Sequence, residues 1–207
     1  MKIEEAYILV VEQTLEENIL KRTLAASALV GASLMPMNST TKYPVELNTQ
    51  SIKAQKSTFD PQHSIKHLVD TYKLAPEKAK HIVDLAIKYG KPTFPKPQNL
   101  LGTIGVESSF NENAKSGLKY DPAQGLMQIR PKVTGIHASE LTDAEGQIKH
   151  GAELLHQLYT KTGDIDKSIQ AYNIGLTSYN RGNRALGYLE KTKKETDKHD
   201  VTKSTAE

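Results

Sequence analysis

The chain has 207 residues, 37% of them hydrophobic and 25% charged, with no Cys and no Trp, which excludes a disulfide scaffold, thiolate metal sites and Cys nucleophiles. Its formal charge of +3 and pI near 8.8 are too mild to mark a nucleic-acid binder, and no apolar run reaches the about 18–20 residues of a membrane-spanning helix. Neither a nucleic-acid partner nor a stable membrane span is therefore expected, and the low apolar share suits one domain of about 100–200 residues with unpacked tails.

Residues 1–22 set Lys2, Lys21 and Arg22 against Glu4, Glu5, Glu12, Glu16 and Glu17. Thr23 to Met37 is then a short apolar, small-residue run closed by Pro36 and polar Asn38-Ser39-Thr40. Lys21-Arg22 followed by such a run matches the charged and apolar regions of a secretory signal, so residues 1–37 are read as a signal-like or anchoring segment and the protein as exported. The acidic stretch before it is not signal-like. It fits either a true start near Leu20 or an uncleaved N-terminal helix used in assembly. Without residues 1–37 the chain carries +5, a weak attraction to anionic surfaces.

Residues 38–62 are rich in Ser, Thr, Lys and Gln and read as a linker. Ile65, Leu68, Val69 and Tyr72 then fall at i, i+3, i+4, i+7, and Ile82, Leu85, Ala86 and Tyr89 repeat the spacing after Pro76, with Gly90 where a helix C-cap glycine belongs. Three prolines between Lys91 and Pro97 exclude a helix there. A third helix is predicted from about Gln98 to Glu107, burying Leu100, Leu101 and Ile104. Asn111 to Pro122 reads as a loop and Gly125 to Ile129 as a hairpin edge or turn. Asp143 to Thr160 is the clearest helix, with Ile148, Ala152, Leu155 and Tyr159 inward. Gly163-Asp164 ends it, and Asp166 is expected to cap a helix through Ser168 to Asn173. Residues 192–207 carry one apolar side chain larger than Ala, Val201, and are expected to be a disordered charged tail. The seven His are expected in surface or capping roles.

Three segments bear chemistry. Gly105-Val106-Glu107-Ser108-Ser109-Phe110-Asn111 puts a carboxylate on the last turn of an apolar helix. Burial and the negative end of the helix dipole both disfavour its charge, which is what a general acid requires; taken alone, a solvated Glu at a helix end is the plainer reading. Ala123-Gln124-Gly125-Leu126-Met127-Gln128-Ile129 offers one Gln that can hydrogen-bond a sugar amide, or an ordinary core strand. Gln170-Ala171-Tyr172-Asn173-Ile174-Gly175 offers a Tyr hydroxyl able to orient a carboxylate, or a core aromatic beside a C-cap Asn.

In this order and spacing the three segments resemble the signatures of the soluble lytic transglycosylase family of the lysozyme-like superfamily. The resemblance covers about Ile65 to Lys191. It implies a mainly α fold, a lysozyme-like α lobe around a central helix with a small β-hairpin or irregular segment, spanning residues 63–191. It implies a peptidoglycan-cutting enzyme that needs no cofactor and no metal. Glu107 matches the family's single acid/base. Ser116 lies where the family places a substrate-contacting Ser, Met127 and Gln128 match groove-lining residues, and Tyr172 matches the Tyr that hydrogen-bonds the catalytic carboxylate, with Asn173 its neighbour. Tyr188 resembles a further family aromatic. The stretch Ser116 to Gln128 is about three residues longer than the family norm, and Arg130 replaces a common Met. The implied reaction is non-hydrolytic cleavage between N-acetylmuramic acid and N-acetylglucosamine. The competing readings are a hydrolytic muramidase, with Glu112, Asp121, Asp143 or Glu145 as second carboxylate, and a non-catalytic wall-binding subunit. The implied partners are glycan strands and a secretion, conjugation or phage assembly, at the cell envelope or in a virion.

Overall fold

The structure is a computed structural model that describes residues 58–203. The signal-like segment, the linker up to residue 57 and residues 204–207 lie outside the described residues. The described chain is mostly helical: α1 (Pro61–Tyr72), α2 (Pro76–Tyr89), α3 (Pro97–Ser108), the short α4 (Pro131–Thr134), a 3-10 turn (Ala138–Leu141), α5 (Ala144–Thr162), α6 (Ile165–Ile174), the short α7 (Leu176–Asn180) and α8 (Leu186–Asp197). Four of these helices open with Pro, whose fixed φ and missing N–H suit a first turn. The expected linker gives way slightly early, because Asp60 caps α1 by accepting from the Gln62 N–H at 2.9 Å. Gly90 follows α2 as expected, yet with φ −59° it is not a left-handed cap. The cap of α6 is Asp164, whose carboxylate accepts from the Lys167 N–H at 2.8 Å. Asp166, expected in that role, sits in the first turn and pairs with Lys193 at 3.0 Å.

The central element is α3. Leu100, Leu101 and Ile104 are fully buried, as their spacing predicts, among Leu68, Ile82, Val83, Leu126, Ile148 and Leu155. The helix packs on α2, α5 and, most extensively, α8. Its face toward α8 is made of Gly102 and Gly105. A Cβ on Gly102 would lie 2.2 Å from Thr196 Oγ1 and 2.7 Å from its backbone nitrogen; one on Gly105 would lie 2.7 Å from Glu195 Cγ. Each glycine costs about 0.5–1 kcal/mol relative to Ala inside a helix. That cost admits a helix contact closer than any side chain allows.

The disordered tail expected from residue 192 is therefore wrong over most of its length. Thr192, Glu195 and His199 are buried, and α8 runs through the predicted boundary to Asp197. The helix docks through polar groups rather than an apolar stripe. Glu195 accepts from the Tyr72 hydroxyl at 2.5 Å and from Lys198 Nζ at 2.9 Å, with His67 Nε2 at 3.5 Å. The Val201 N–H then donates to the Thr58 carbonyl at 2.9 Å, and Phe59 bridges Asp200, so the two ends of the described chain meet. Not all the histidines fit the surface reading either, since His199 is fully buried and His63 and His67 share one side of α1 at His-x-x-x-His spacing.

The expected hairpin or irregular segment is a tight turn. Gln124 and Ile129 exchange backbone hydrogen bonds of 2.9 and 3.1 Å around Gly125–Gln128, and Lys115 bridges Gln124. Among the described residues, no helix is long and apolar enough to cross a membrane.

Candidate active site

Glu107 lies on the last turn of α3, where the next residues leave the helix through Ser109 in the left-handed region at φ 51°. The turn ends there because the Ser109 N–H closes on the Gly105 carbonyl at 3.1 Å. Glu107 is half-buried, and its Oε1 accepts from the Tyr188 hydroxyl at 2.5 Å. Burial raises its carboxyl above the ordinary value of 4.5, and the Tyr188 hydrogen bond, pulling downward, does not cancel that effect. Tyr188 and Tyr172 are both held well above the ordinary phenol value by burial and by the Glu107 charge. Both therefore remain hydrogen-bond donors at neutral pH.

The neighbouring Ser108 turns the other way. Its hydroxyl donates to the Leu126 carbonyl at 2.8 Å and fastens the helix end to the 125–128 turn. A buried side chain on α5 holds that turn from behind. Gln147 accepts from the Leu126 N–H at 2.7 Å and donates to the Leu141 carbonyl at 2.9 Å and the Glu112 carbonyl at 3.2 Å. Gly125 has φ 73°, and a Cβ there would lie 2.1 Å from the Gln147 carboxamide. Backbone conformation and space thus both require glycine.

The sequence-predicted residues divide. Glu107, the Leu126–Gln128 turn and Tyr172 converge, through Ser108 on one side and a 2.8 Å bond from the Tyr172 hydroxyl to the Met127 carbonyl on the other. The hydroxyl on the catalytic-type carboxylate belongs to Tyr188, not to Tyr172 as the resemblance implied. Met127 is fully buried against Gly151, where a Cβ would lie 2.2 Å from its Sδ, so it fills the core and does not line a groove. Gln128, with φ 47°, spends both amide hydrogens on the Ala114 and Gly125 carbonyls, at 3.1 and 2.9 Å. Only its oxygen remains for a ligand, as an acceptor. Ser116 closes the neck of the longer loop, accepting from the Ala123 N–H at 2.8 Å. Asn173 is exposed on the last turn of α6. Arg130 pairs at 3.3 Å with Asp121, whose side chain is buried in that loop. Arg184 stacks over Tyr179, its guanidinium carbon 4.2 Å from the ring centroid.

Ser108 and Gln147 carry positioning roles that the sequence did not single out. The one available signal for Gln147 was a polar residue on the inward stripe of α5, between Ala144 and Gly151.

The four carboxylates considered as a second catalytic group are engaged elsewhere. Glu112 pairs with Lys78 at 3.5 Å and Asp121 with Arg130. Asp143 caps α5 at 2.8 Å, and Glu145 takes Lys88 and Tyr89 at 2.6 Å each.

A half-buried acid at a helix end, with a phenol on it and a glycine turn pinned beside it, makes up the candidate site of this α-helical domain. The family described as Transglycosylase SLT domain matches residues 84–201, more than half of the chain, and the chain belongs to that family. A protein of Enterobacteria phage PRD1 named "Transglycosylase" is 30% identical over 99 residues, covering 47% of this chain. The aligned stretch is 36% of that relative's own length.

Proposed function

We propose that this protein is a peptidoglycan lytic transglycosylase that cleaves the β-1,4 bond between N-acetylmuramic acid and N-acetylglucosamine and leaves a 1,6-anhydro end. The observation that carries the reading is Glu107, half-buried at the end of α3, raised in pKa and touched by a phenol. Protonated Glu107 donates to the bridging oxygen as the bond to the muramic C1 breaks. The substrate's own acetamido oxygen steadies the positive charge at C1, as in other substrate-assisted cleavages. Ionised Glu107 then takes the proton of the C6 hydroxyl, whose oxygen closes on C1. The Tyr188 hydroxyl stabilises the carboxylate between the two transfers, and the Gln128 oxygen accepts from an N-acetyl N–H. Ser116 and Asn173 are assigned as further contacts for the glycan.

A hydrolase on this fold needs a second carboxylate about 5–9.5 Å from the first. The engagement of Glu112, Asp121, Asp143 and Glu145 with other partners supports the transglycosylase over it. Digestion of purified sacculi followed by mass spectrometry tests the choice. Products lighter than the hydrolytic fragments by one water are expected; products of full hydrolytic mass would make the protein a muramidase, and no products at all would favour a wall-binding subunit.

Tyr188→Phe removes the one hydrogen bond that lowers the Glu107 carboxyl. Turnover is expected to fall about tenfold or more, the worth of a hydrogen bond to a charged group. The alkaline limb of the pH–rate profile should move to higher pH, because the carboxyl then holds its proton longer. A profile unchanged in position would separate Tyr188 from the acid.

A substrate of this kind places the protein at the cell envelope, or in a particle that must breach it. The phage origin of the PRD1 relative supports wall penetration among the possible roles, beside secretion and conjugation.

A further inference from the structure

Helices α1 and α8 face each other with two side-chain pairs at i, i+4 spacing: His63 and His67 on α1, and Glu195 and His199 on and just past α8. Ligand-capable atoms of His67, Glu195 and His199 all lie within 4.8 Å of one another. His199 is fully buried, and among the described residues neither of its ring nitrogens has a hydrogen-bond partner. His67 Nε2 is buried without a hydrogen bond too, 3.5 Å from Glu195 Oε1, and the two imidazole rings meet edge to face at 5.1 Å. Native structures rarely leave buried polar atoms bare, and two imidazoles turned toward one carboxylate need something to complete them.

We propose that His67, Glu195 and His199 form a binding site for one divalent transition-metal ion, with Zn2+ the ion best suited to two imidazoles and a carboxylate. The surrounding groups already prepare the ligands. Thr71 Oγ1 lies 3.2 Å from His67 Nδ1, and in the tautomer whose Nδ1–H donates to it the Nε2 lone pair is free. The Tyr72 hydroxyl and Lys198 Nζ each take one oxygen of Glu195, fixing the carboxylate while a second lone pair on each oxygen remains. Ligand atoms around a tetrahedral ion with bonds of about 2.0–2.2 Å stand roughly 3.3–3.5 Å apart, so the three side chains must draw in by about an ångström. His67 also lines an open groove with His63 and Asp197.

Glu107 does not line this groove, and no step of the reaction runs through the ion. Its effect is on the fold. The ion ties α1 to the helix that carries Tyr188 onto Glu107, and this holds whether or not the protein cuts peptidoglycan.

The test uses the untagged full chain, stripped by chelator and dialysed, with zinc sulfate as the probe in calorimetry and thermal melts. One zinc per chain is expected, with a rise in Tm of roughly 5 °C or more at a hundredfold excess over Kd, and no comparable response to Mg2+. His199→Ala and His67→Gln should each weaken that site about a hundredfold or more, while His150→Ala, at a separate ion pair with Glu140, should leave it intact. If His199→Ala does not fold, His67→Gln, on a ring that is partly exposed, decides alone. Absence of stoichiometric binding and of any shift in Tm overturns the site, as does zinc binding that survives the His67 substitution.

Discussion

Glu107→Gln is expected to abolish wall lysis, lowering the rate by at least about 10³, while the protein stays folded. General acid–base groups contribute about 10²–10⁴ each, and in the proposed reaction one carboxyl serves as both acid and base. Gln keeps the acceptor that meets the Tyr188 hydroxyl, so the surrounding structure is retained. Turbidity loss of purified sacculi measures the effect, and lysis at the parent rate would remove Glu107 from the mechanism. In the parent protein the same group sets the alkaline limb, because the first step needs the protonated acid and its pKa lies above 4.5. Stability follows with a definite sign. A carboxyl whose folded pKa exceeds its unfolded value favours the fold fully below the unfolded pKa, and this contribution is lost as pH rises through the folded pKa. The parent therefore carries a cost at neutral pH that the Gln variant lacks. Glu107→Gln should melt higher than the parent at pH 7, and the gap should close below pH 4.

A chain stopped after Lys191 is the second large effect. A disordered tail could be removed without consequence. The structure instead makes Thr192 to His199 the lid over the glycine face of α3. Truncation strips the cover from Gly102 and Gly105 and takes the acceptor from the Tyr72 hydroxyl. It also frees the half of α8 that anchors Tyr188. Leaving a buried hydroxyl without its acceptor alone costs about 1–3 kcal/mol, against a total stability of about 5–15 kcal/mol for a domain. Circular-dichroism melts should show Tm lower by more than about 10 °C, or no cooperative transition. A truncated chain that melted like the parent would make α8 dispensable.

These two experiments mark the boundary of what the amino-acid order discloses. Helices α1, α2, α3 and α5 were legible because their inward positions repeat every three to four residues with Leu, Ile, Val and Ala. Helix α8 was not, because its partner surface is glycine. Where two backbones approach that closely, the inward positions select Thr and Glu, and a polar seam replaces the apolar stripe from which burial is normally read. The position of Glu107 on the last turn of α3 was legible, since it follows an apolar run and precedes a loop. Which phenol meets it was not, because that depends on where α8 lands, 81 positions along the chain. Met127 was misplaced for a similar reason. The hole it fills is the missing side chain of Gly151, and nothing local to either residue announces that pairing.

The meeting of the two ends of the described residues has a consequence for synthesis. The Thr58 carbonyl waits for the Val201 N–H, and the glycine face of α3 waits for Thr196. A ribosome delivers α1 through α7 well before either arrives. Domains fold as units during translation, so this one completes only when its last helix has cleared the exit tunnel. Until then Glu107 lacks the Tyr188 hydroxyl that α8 brings to it.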